Sequence, residues 1–272
     1  MEFRLFLLYL APVILRNILP AKVYKHFLLL HSAIYILSTQ VLCHSHLFLA
    51  QKLLKKFVKK CPLLYGQKLL VYNFHNLLHI TDDVRKYGPL DSFSCFPFES
   101  FLGRLKKLVT SPYLPLEQIV KRVYECRERT LCKNDLPQSG SNARLAYPTV
   151  RTVVFQGKRC LVHSRLEIEG TVFDARKIQD RACLLMNGRV GIITGIISSI
   201  DGSSTLLIRE FKHQTSLFMT PVDSSVLNVF KVWSLSSREK FHSVGQIKRK
   251  CVRLPYKSGA VVIPLCHQNV RE

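Results

Sequence analysis

The chain has 272 residues, enough to bury one good core or two smaller ones. It carries 40 Lys and Arg against 18 Asp and Glu, and the net charge of +22 favours polyanionic partners, with nucleic acid first. A basic protein with no role on DNA is the alternative. The cysteine count of 9 is odd and includes no CxxC pair, which argues against a closed zinc site and predicts free thiols in a reducing compartment.

Two apolar runs, residues 3–15 and 27–42, come first. No small-residue cleavage site follows the first run, and Arg16 interrupts it, so a signal peptide is disfavoured. Both runs are shorter than the about 20 apolar residues that cross a bilayer. They predict buried helices and no membrane partner, with a small membrane-attached protein as the alternative.

The next predicted helix is amphipathic, because Leu53, Leu54 and Phe57 share one face. Positive charge covers the rest of it. The basic residues are Lys52, Lys55, Lys56, Lys59 and Lys60. Such a face suits contact with phosphates, which needs positive charge but no base recognition. A solvated face without a ligand is the alternative.

Residues 72–85 have helical apolar spacing and carry His75 and His79 on one face. Histidines four apart also occur in helical zinc sites, although Asn76 stands where an HExxH motif has its glutamate. Asp82 or Asp83 would be needed to complete a metal site. The alternative is that both imidazoles make hydrogen bonds within a packed helix pair.

Gly88-Pro89 ends that helix, and a second helix is predicted from Pro97. Glu99 lies in its first turn, where a negative charge favourably meets the helix dipole. Three basic residues follow about two turns later and are further candidates for phosphate contact. These are Arg104, Lys106 and Lys107.

The ordered motifs HNLLH, GPL, FPFE and LGRLKKLV resemble the helical region after the catalytic core of CACTA (En/Spm)-type transposases. The N-terminal stretches RLFLLYLAPVIL and VYKHFLLLHSAIYIL resemble the animal transposon-derived relatives. The resemblance covers residues 2–125. It implies a fragment that lacks the catalytic core and binds DNA or a full-length transposase.

The resemblance also bears on catalysis, because RNase-H-like transposases hold two Mg²⁺ ions with three acids. Glu99 would be the third acid, and the first two would lie on strands upstream of residue 1. The chain alone is therefore expected to have no nuclease activity and no cofactor, with Mg²⁺ only as part of a complete transposase. A transposase subunit that supplies Glu99 in trans is the alternative function, and a first-turn charge is the alternative role for Glu99.

Residues 136–148 are rich in Pro, Gly, Ser and Asn and are predicted to be a linker. A β pattern follows, with hairpin signals at Asn187-Gly188 and Asp201-Gly202. Several short strands with tight turns predict a small, partly closed barrel. Its aromatic residues Phe218, Phe230 and Trp233 are either core residues or a stacking pocket.

A basic run lies near the end of the β pattern, at Lys248, Arg249 and Lys250. It is a candidate phosphate contact or nuclear-import patch. The overall prediction is an α+β protein with an all-α domain at 1–135, a linker at 136–148 and a β-rich domain at 149–272. The predicted role is non-specific, electrostatic DNA binding in the nucleus or cytoplasm.

Overall fold

The structure is a computed structural model that describes residues 2–134, 143–155, 157–168, 170–198 and 204–266. The chain forms two compact units. The smaller is Ser92–Ser141, and the larger combines Glu2–Asp91 with Asn142–Glu272. The Asp201-Gly202 turn and much of the predicted linker lie outside the described residues.

The helices of the larger unit come first in the chain. A π-helical turn, Phe6–Leu10, separates the first two helices, directly before Pro12, which has no N–H to continue the helical hydrogen bonding. The helices are α1 Glu2–Leu5, α2 Ala11–Ile14, α3 Ala21–Ser38, α4 Gln40–Ser45, α5 Leu47–Tyr65, α6 Tyr72–Asn76 and α7 Ile80–Tyr87. In the part of the chain that the structure describes, no helix combines the length and apolarity that a bilayer crossing needs.

In the described part of the smaller unit, the α-helices are α8 Phe96–Leu108 and α9 Pro115–Asn134. Pro97 occupies the first turn of α8, as predicted, because its fixed φ suits that position. Between the helices, the Gln118 side chain accepts hydrogen bonds from the backbone N–H groups of Thr110 and Ser111. This side chain orders the connection where the backbone has no helical partners.

In the described residues, ten antiparallel strands form the β part. Six of them close into a barrel in the order β5-β4-β9-β10-β7-β6, because β6 also pairs with β5. The strands are β1 Ala143–Phe155, β2 Lys158–Ile168, β3 Thr171–Asp174, β4 Ala182–Leu185, β5 Val190–Ser198, β6 Ser204–Ser216, β7 Phe230–Leu235, β8 Lys240–Ser243, β9 Ile247–Tyr256 and β10 Gly259–Pro264. The α+β class is thereby confirmed, and the barrel is closed rather than partly open.

The Asn187-Gly188 hairpin forms where the sequence predicts it, between β4 and β5. Gly188 has φ +79°, in the left-handed region that favours glycine, and its N–H bonds to the carbonyl of Leu185. The turn fixes the register, so that Leu184 pairs with Val190. Apolar side chains of both strands thereby reach the barrel interior.

The helices of the larger unit share one apolar core with the β part. Leu8, Ile36 and Leu54 belong to the same buried cluster as Val261 and Ile263. Two buried tyrosines from the helical part also bond to the backbone at the end of β10 and just after it. The Tyr35 hydroxyl donates to the carbonyl of Pro264 at 2.8 Å, and the Tyr9 hydroxyl accepts from the N–H of Cys266 at 3.0 Å. The apolar core is therefore continuous between the helices of the larger unit and the strands.

His31 of α3 lies inside this core. Its Nδ1 is 2.9 Å from the carbonyl of Leu7, so Nδ1 carries the proton and donates it. Its Nε2 is buried without a hydrogen-bond partner, and aromatic rings, including those of Phe27 and Phe218, surround the imidazole. Burial lowers the pKa of His31 to about 4.

This buried imidazole predicts that the protein loses stability in mild acid. An unfolded His31 takes up a proton near pH 6.5, whereas the folded one does so only near its pKa of about 4. The unfolded state binds more protons in that window, so the free energy of unfolding falls by about 3 kcal/mol from pH 6.5 to 4. Urea unfolding at a series of pH values measures this. His31→Leu should flatten the dependence, and the exposed control His44→Gln should keep it; equal slopes in all three proteins would contradict the assignment.

Candidate nucleic-acid interface

The predicted lysine array forms one surface because α5 buries its opposite side. The buried residues of α5 recur every three or four positions. They are Ala50, Leu53, Leu54, Phe57 and Cys61. Five lysines point to solvent from the remaining positions, and they are here named the lysine face. They are Lys52, Lys55, Lys56, Lys59 and Lys60, all exposed.

The lysine face borders a cleft between α3 and α5. Lys22 and Lys25 of α3 line it from one helix, and Lys56 and Lys60 line it from the other. The space has a volume of about 480 Å³. Its apolar floor and walls include Leu29, Leu63, Leu64 and Pro221. This lysine cleft therefore brings together positive charges that lie more than 30 residues apart in the chain.

His26 fixes the two helices at the floor of the lysine cleft. Its Nε2 lies 2.9 Å from the carbonyl of Phe57, which can only accept, so Nε2 carries the proton. Its Nδ1 then accepts from the hydroxyl of Tyr65 at 3.1 Å, and the ring stacks on Phe57 at 4.4 Å. Burial, aided by the nearby charge of Lys60, lowers the pKa of His26. The imidazole thus contributes shape rather than charge.

In the described part of the chain, these lysines have no acidic partner. Among the described residues, none of the ion pairs includes a lysine of the lysine face, Lys22 or Lys25. The sequence explains why, because residues 3–81 contain ten Lys and Arg and no Asp or Glu. That acid-free stretch is a sequence signal for this basic surface. The helical spacing of apolar residues does not reveal it. Seven lysines here repel one another and attract a polyanion.

The other basic residues that were predicted to contact phosphate differ in exposure and in the contacts that they make. In the smaller unit, Lys106 and Lys107 are exposed on α8, and the guanidinium of Arg104 lies 5.6 Å from the ring centre of Phe101. These three stay a prediction. Glu99 is exposed in the first turn of the same helix, as predicted.

The basic run on β9 serves mainly to hold the β part together. The Nζ of Lys250 donates to Asp180 Oδ1 at 2.5 Å and to the carbonyl of Val172 at 2.6 Å. The guanidinium of Arg249 donates to the carbonyl of Leu265 at 3.2 Å. Lys248 is exposed and has no competing contact in the described residues, so its phosphate contact stays a prediction.

His75 and His79 approach each other, although a turn interrupts the predicted helix between them. His75 lies in α6 and His79 precedes α7, yet their Nε2 atoms are 3.3 Å apart. Both are exposed, and Asp82 pairs with Arg85 at 2.7 Å. Within the described ranges, no group of three or more His, Cys, Asp and Glu side chains is placed to hold a metal ion. A zinc site at this pair stays a prediction.

A comparison with known protein families gives a match in the β part of the chain. Residues 150–265 match a family described as "Domain of unknown function (DUF8592)". No curated protein and no solved structure matches the chain. The matched range includes β2 to β10, whereas the lysine face and the α3 side of the cleft lie outside it.

Proposed function

We propose that the protein binds duplex DNA through the lysine face and the lysine cleft, without reading the base sequence. The observation that carries this proposal is the group of seven lysines around one cleft with no acidic partner in the described residues. Lysine is a compact point charge on a flexible stem, which suits phosphate contacts but not paired hydrogen bonds to base edges. The expected mode is therefore electrostatic and tolerant of sequence.

The position of the lysines along α5 supports this mode. Lys52, Lys55 and Lys59 recur about once per turn, so α5 presents a row of positive charge along its axis. Lys22 and Lys25 extend the row across the cleft. A charged rod such as duplex DNA can neutralise several of these charges at once and release its own counterions.

The transposase resemblance belongs to the same proposal. Residues 2–125, which carry the resemblance, also contain the lysine face. A module derived from the region after a transposase catalytic core would meet DNA in the nucleus, alone or beside a full-length transposase. The proposal assigns no catalytic role to Glu99, which lies exposed in the first turn of α8.

The dependence of binding on salt tests the proposal. We expect log K for duplex DNA to fall with log salt at a slope of about −4 or steeper, since each neutralised phosphate contributes about −0.9. Fluorescence anisotropy with two labelled duplexes of unrelated sequence measures both the slope and the preference. A slope near zero, or strong binding to only one of the duplexes, would contradict an electrostatic, sequence-tolerant mode.

A further inference from the structure

A second cavity opens on the barrel, where β7, β9 and β10 are neighbours. Its volume is about 320 Å³, at the lower end of the size of small-molecule sites. Among the described residues, no acidic one lines it. Among its lining residues are Ile178, Trp233, Ser234, Leu235, Arg253 and Pro255. We name this space the Trp233 cavity.

Trp233 is held in place but stays partly open to solvent. Its ring is stacked on that of His213 at 5.2 Å and 14°, and the residue remains 36% exposed. His213 does not line the cavity. A Cβ at Gly259 would lie 2.2 Å from the carbonyl oxygen of Val232 and 3.0 Å from the Cβ of Trp233, so only glycine lets β10 approach this closely. The indole is thus a fixed aromatic surface beside a cavity.

The backbone next to Trp233 is strained. Ser234 follows it in β7, lines the cavity and has φ +55°, a left-handed conformation that is uncommon outside glycine. Such strain costs on the order of 1–3 kcal/mol and concentrates at binding sites. This feature separates the cavity from an ordinary groove between strands.

The cavity is also positively charged. Arg253 lines it, and no ion pair among the described residues includes Arg253 or its neighbour in space, Arg181. Burial, and then the positive charge of Arg181, lower the pKa of Arg253. The Nε of Arg181 is buried without a hydrogen-bond partner. Arg181 does not line the cavity, but an anion bound to Arg253 there would relieve the repulsion between the two guanidinium groups.

We propose that the Trp233 cavity binds one nucleotide of a single-stranded nucleic acid, with the base against Trp233 and the phosphate on Arg253. An aromatic side chain beside an unpaired guanidinium is the combination that recognises an unstacked nucleotide. A base inside a duplex is not available for such stacking. The inference rests on the proposed function for its partner class, and it adds a second binding mode for single strands.

A peptide strand fits this site less well. Extended peptides bind mainly by adding to a free sheet edge. At this cavity, β7 already pairs with β6 and β10, and β10 pairs with β7 and β9. Recognition must therefore come from side chains, through stacking and charge.

Trp233 is the only tryptophan of the chain, so the intrinsic fluorescence of the full-length protein reports directly on this site. We expect adenosine 5′-monophosphate to quench it saturably when the indole is excited at wavelengths where the base does not absorb. Adenosine and ribose 5-phosphate each lack one recognised group and should bind at least about tenfold more weakly. Absence of saturable quenching by the monophosphate would overturn the proposal.

Two variants test whether the phosphate of the monophosphate binds at Arg253. Arg253→Gln should weaken the monophosphate at least about tenfold, because it removes a charge-assisted hydrogen bond. Ile178→Glu, at a position that is 58% exposed, adds a repelling carboxylate at the rim without a folding cost and should act in the same direction. Unchanged quenching in Ile178→Glu would overturn the proposal even if Arg253→Gln failed to fold.

Two further comparisons complete the test. N-acetylphenylalanine probes a peptide-type carboxylate, and quenching by it that matched or exceeded the monophosphate would overturn the nucleotide assignment. Replacing Lys55, Lys56, Lys59 and Lys60 with Gln should leave monophosphate quenching unchanged. Wild-type protein that shows quenching but does not bind duplex DNA would contradict only the proposed function, and wild-type protein that binds duplex DNA but shows no saturable quenching would contradict only this inference.

Discussion

Replacing Lys55, Lys56, Lys59 and Lys60 with glutamine is expected to lower the affinity for duplex DNA about a hundredfold at low salt and to make the salt slope shallower by about three to four. The loss follows from the position of these side chains, since all four are exposed on α5 and none has an acidic partner in the described residues. Anisotropy titrations of a labelled duplex at several salt concentrations measure both quantities.

The same change should leave the fold intact. Glutamine has nearly the helix propensity of lysine, and these four side chains contribute nothing to the buried stripe of α5. Exposed substitutions of this kind alter the free energy of unfolding by about 0.5 kcal/mol or less. Thermal unfolding of wild type and variant therefore separates a binding defect from a folding defect.

A matched control removes the same charge elsewhere. The four exposed lysines Lys86, Lys177, Lys212 and Lys257 lie outside the lysine face and the lysine cleft. Changing them to glutamine lowers the net charge by the same amount. We expect a much smaller loss of affinity than for the α5 variant. Equal losses would mean that net charge alone attracts DNA, and no loss in the α5 variant would make the lysine face a solvated surface.

The lysine face was predictable because it depends on the spacing of residues within one helix. Leu53, Leu54 and Phe57 recur at helical spacing, so the buried side and the lysine side follow from the sequence. The β4–β5 hairpin was predictable for the same reason, since the local sequence Asn187-Gly188 determines the turn. The transposase resemblance and the DNA role that it implies stay predictions.

The lysine cleft was not predictable from helical spacing, because it depends on which helix packs beside α5. Lys22 and Lys25 lie on α3, and the packing of α3 against α5, which includes the His26 contact with Phe57, places them across from Lys56. The contacts of Lys250 likewise depend on tertiary packing that its local sequence does not show. Its sequence neighbours suggest a phosphate patch, whereas pairing of β9 with the barrel brings it to Asp180.

The β part alone, residues 143–272, is expected not to reach a stable fold. Part of its apolar surface is buried only in the cluster that it shares with the helices of residues 2–91. The β residues of that cluster are Leu217, Phe218, Leu227, Val229, Val261, Ile263 and Cys266. Exposing a buried Val, Leu, Ile or Phe costs about 1.5–3 kcal/mol, so exposing several approaches the whole stability of a domain, about 5–15 kcal/mol.

The expected product is a protein that aggregates or binds hydrophobic dyes, without a cooperative unfolding transition. Co-expression with residues 2–91 should rescue it, because that fragment restores Leu8, Ile36 and Leu54 to the cluster. Size-exclusion chromatography and thermal unfolding compare the β part alone, the co-expressed pair and the full chain. A β part that unfolds cooperatively at the temperature of the full chain would show that the helices add little to its stability.

A point substitution in the intact chain probes the same junction. Tyr35→Phe removes the hydroxyl that bonds to the carbonyl of Pro264, and Tyr35 is only 1% exposed, so water cannot replace it. The free energy of unfolding should fall by about 1–3 kcal/mol, the cost of a buried acceptor left without a donor. Tyr113→Phe, at an exposed position of the smaller unit, is the control and should change it little. If both substitutions had equally small effects, the hydrogen bond from Tyr35 to Pro264 would contribute little to the junction between the helices and β10.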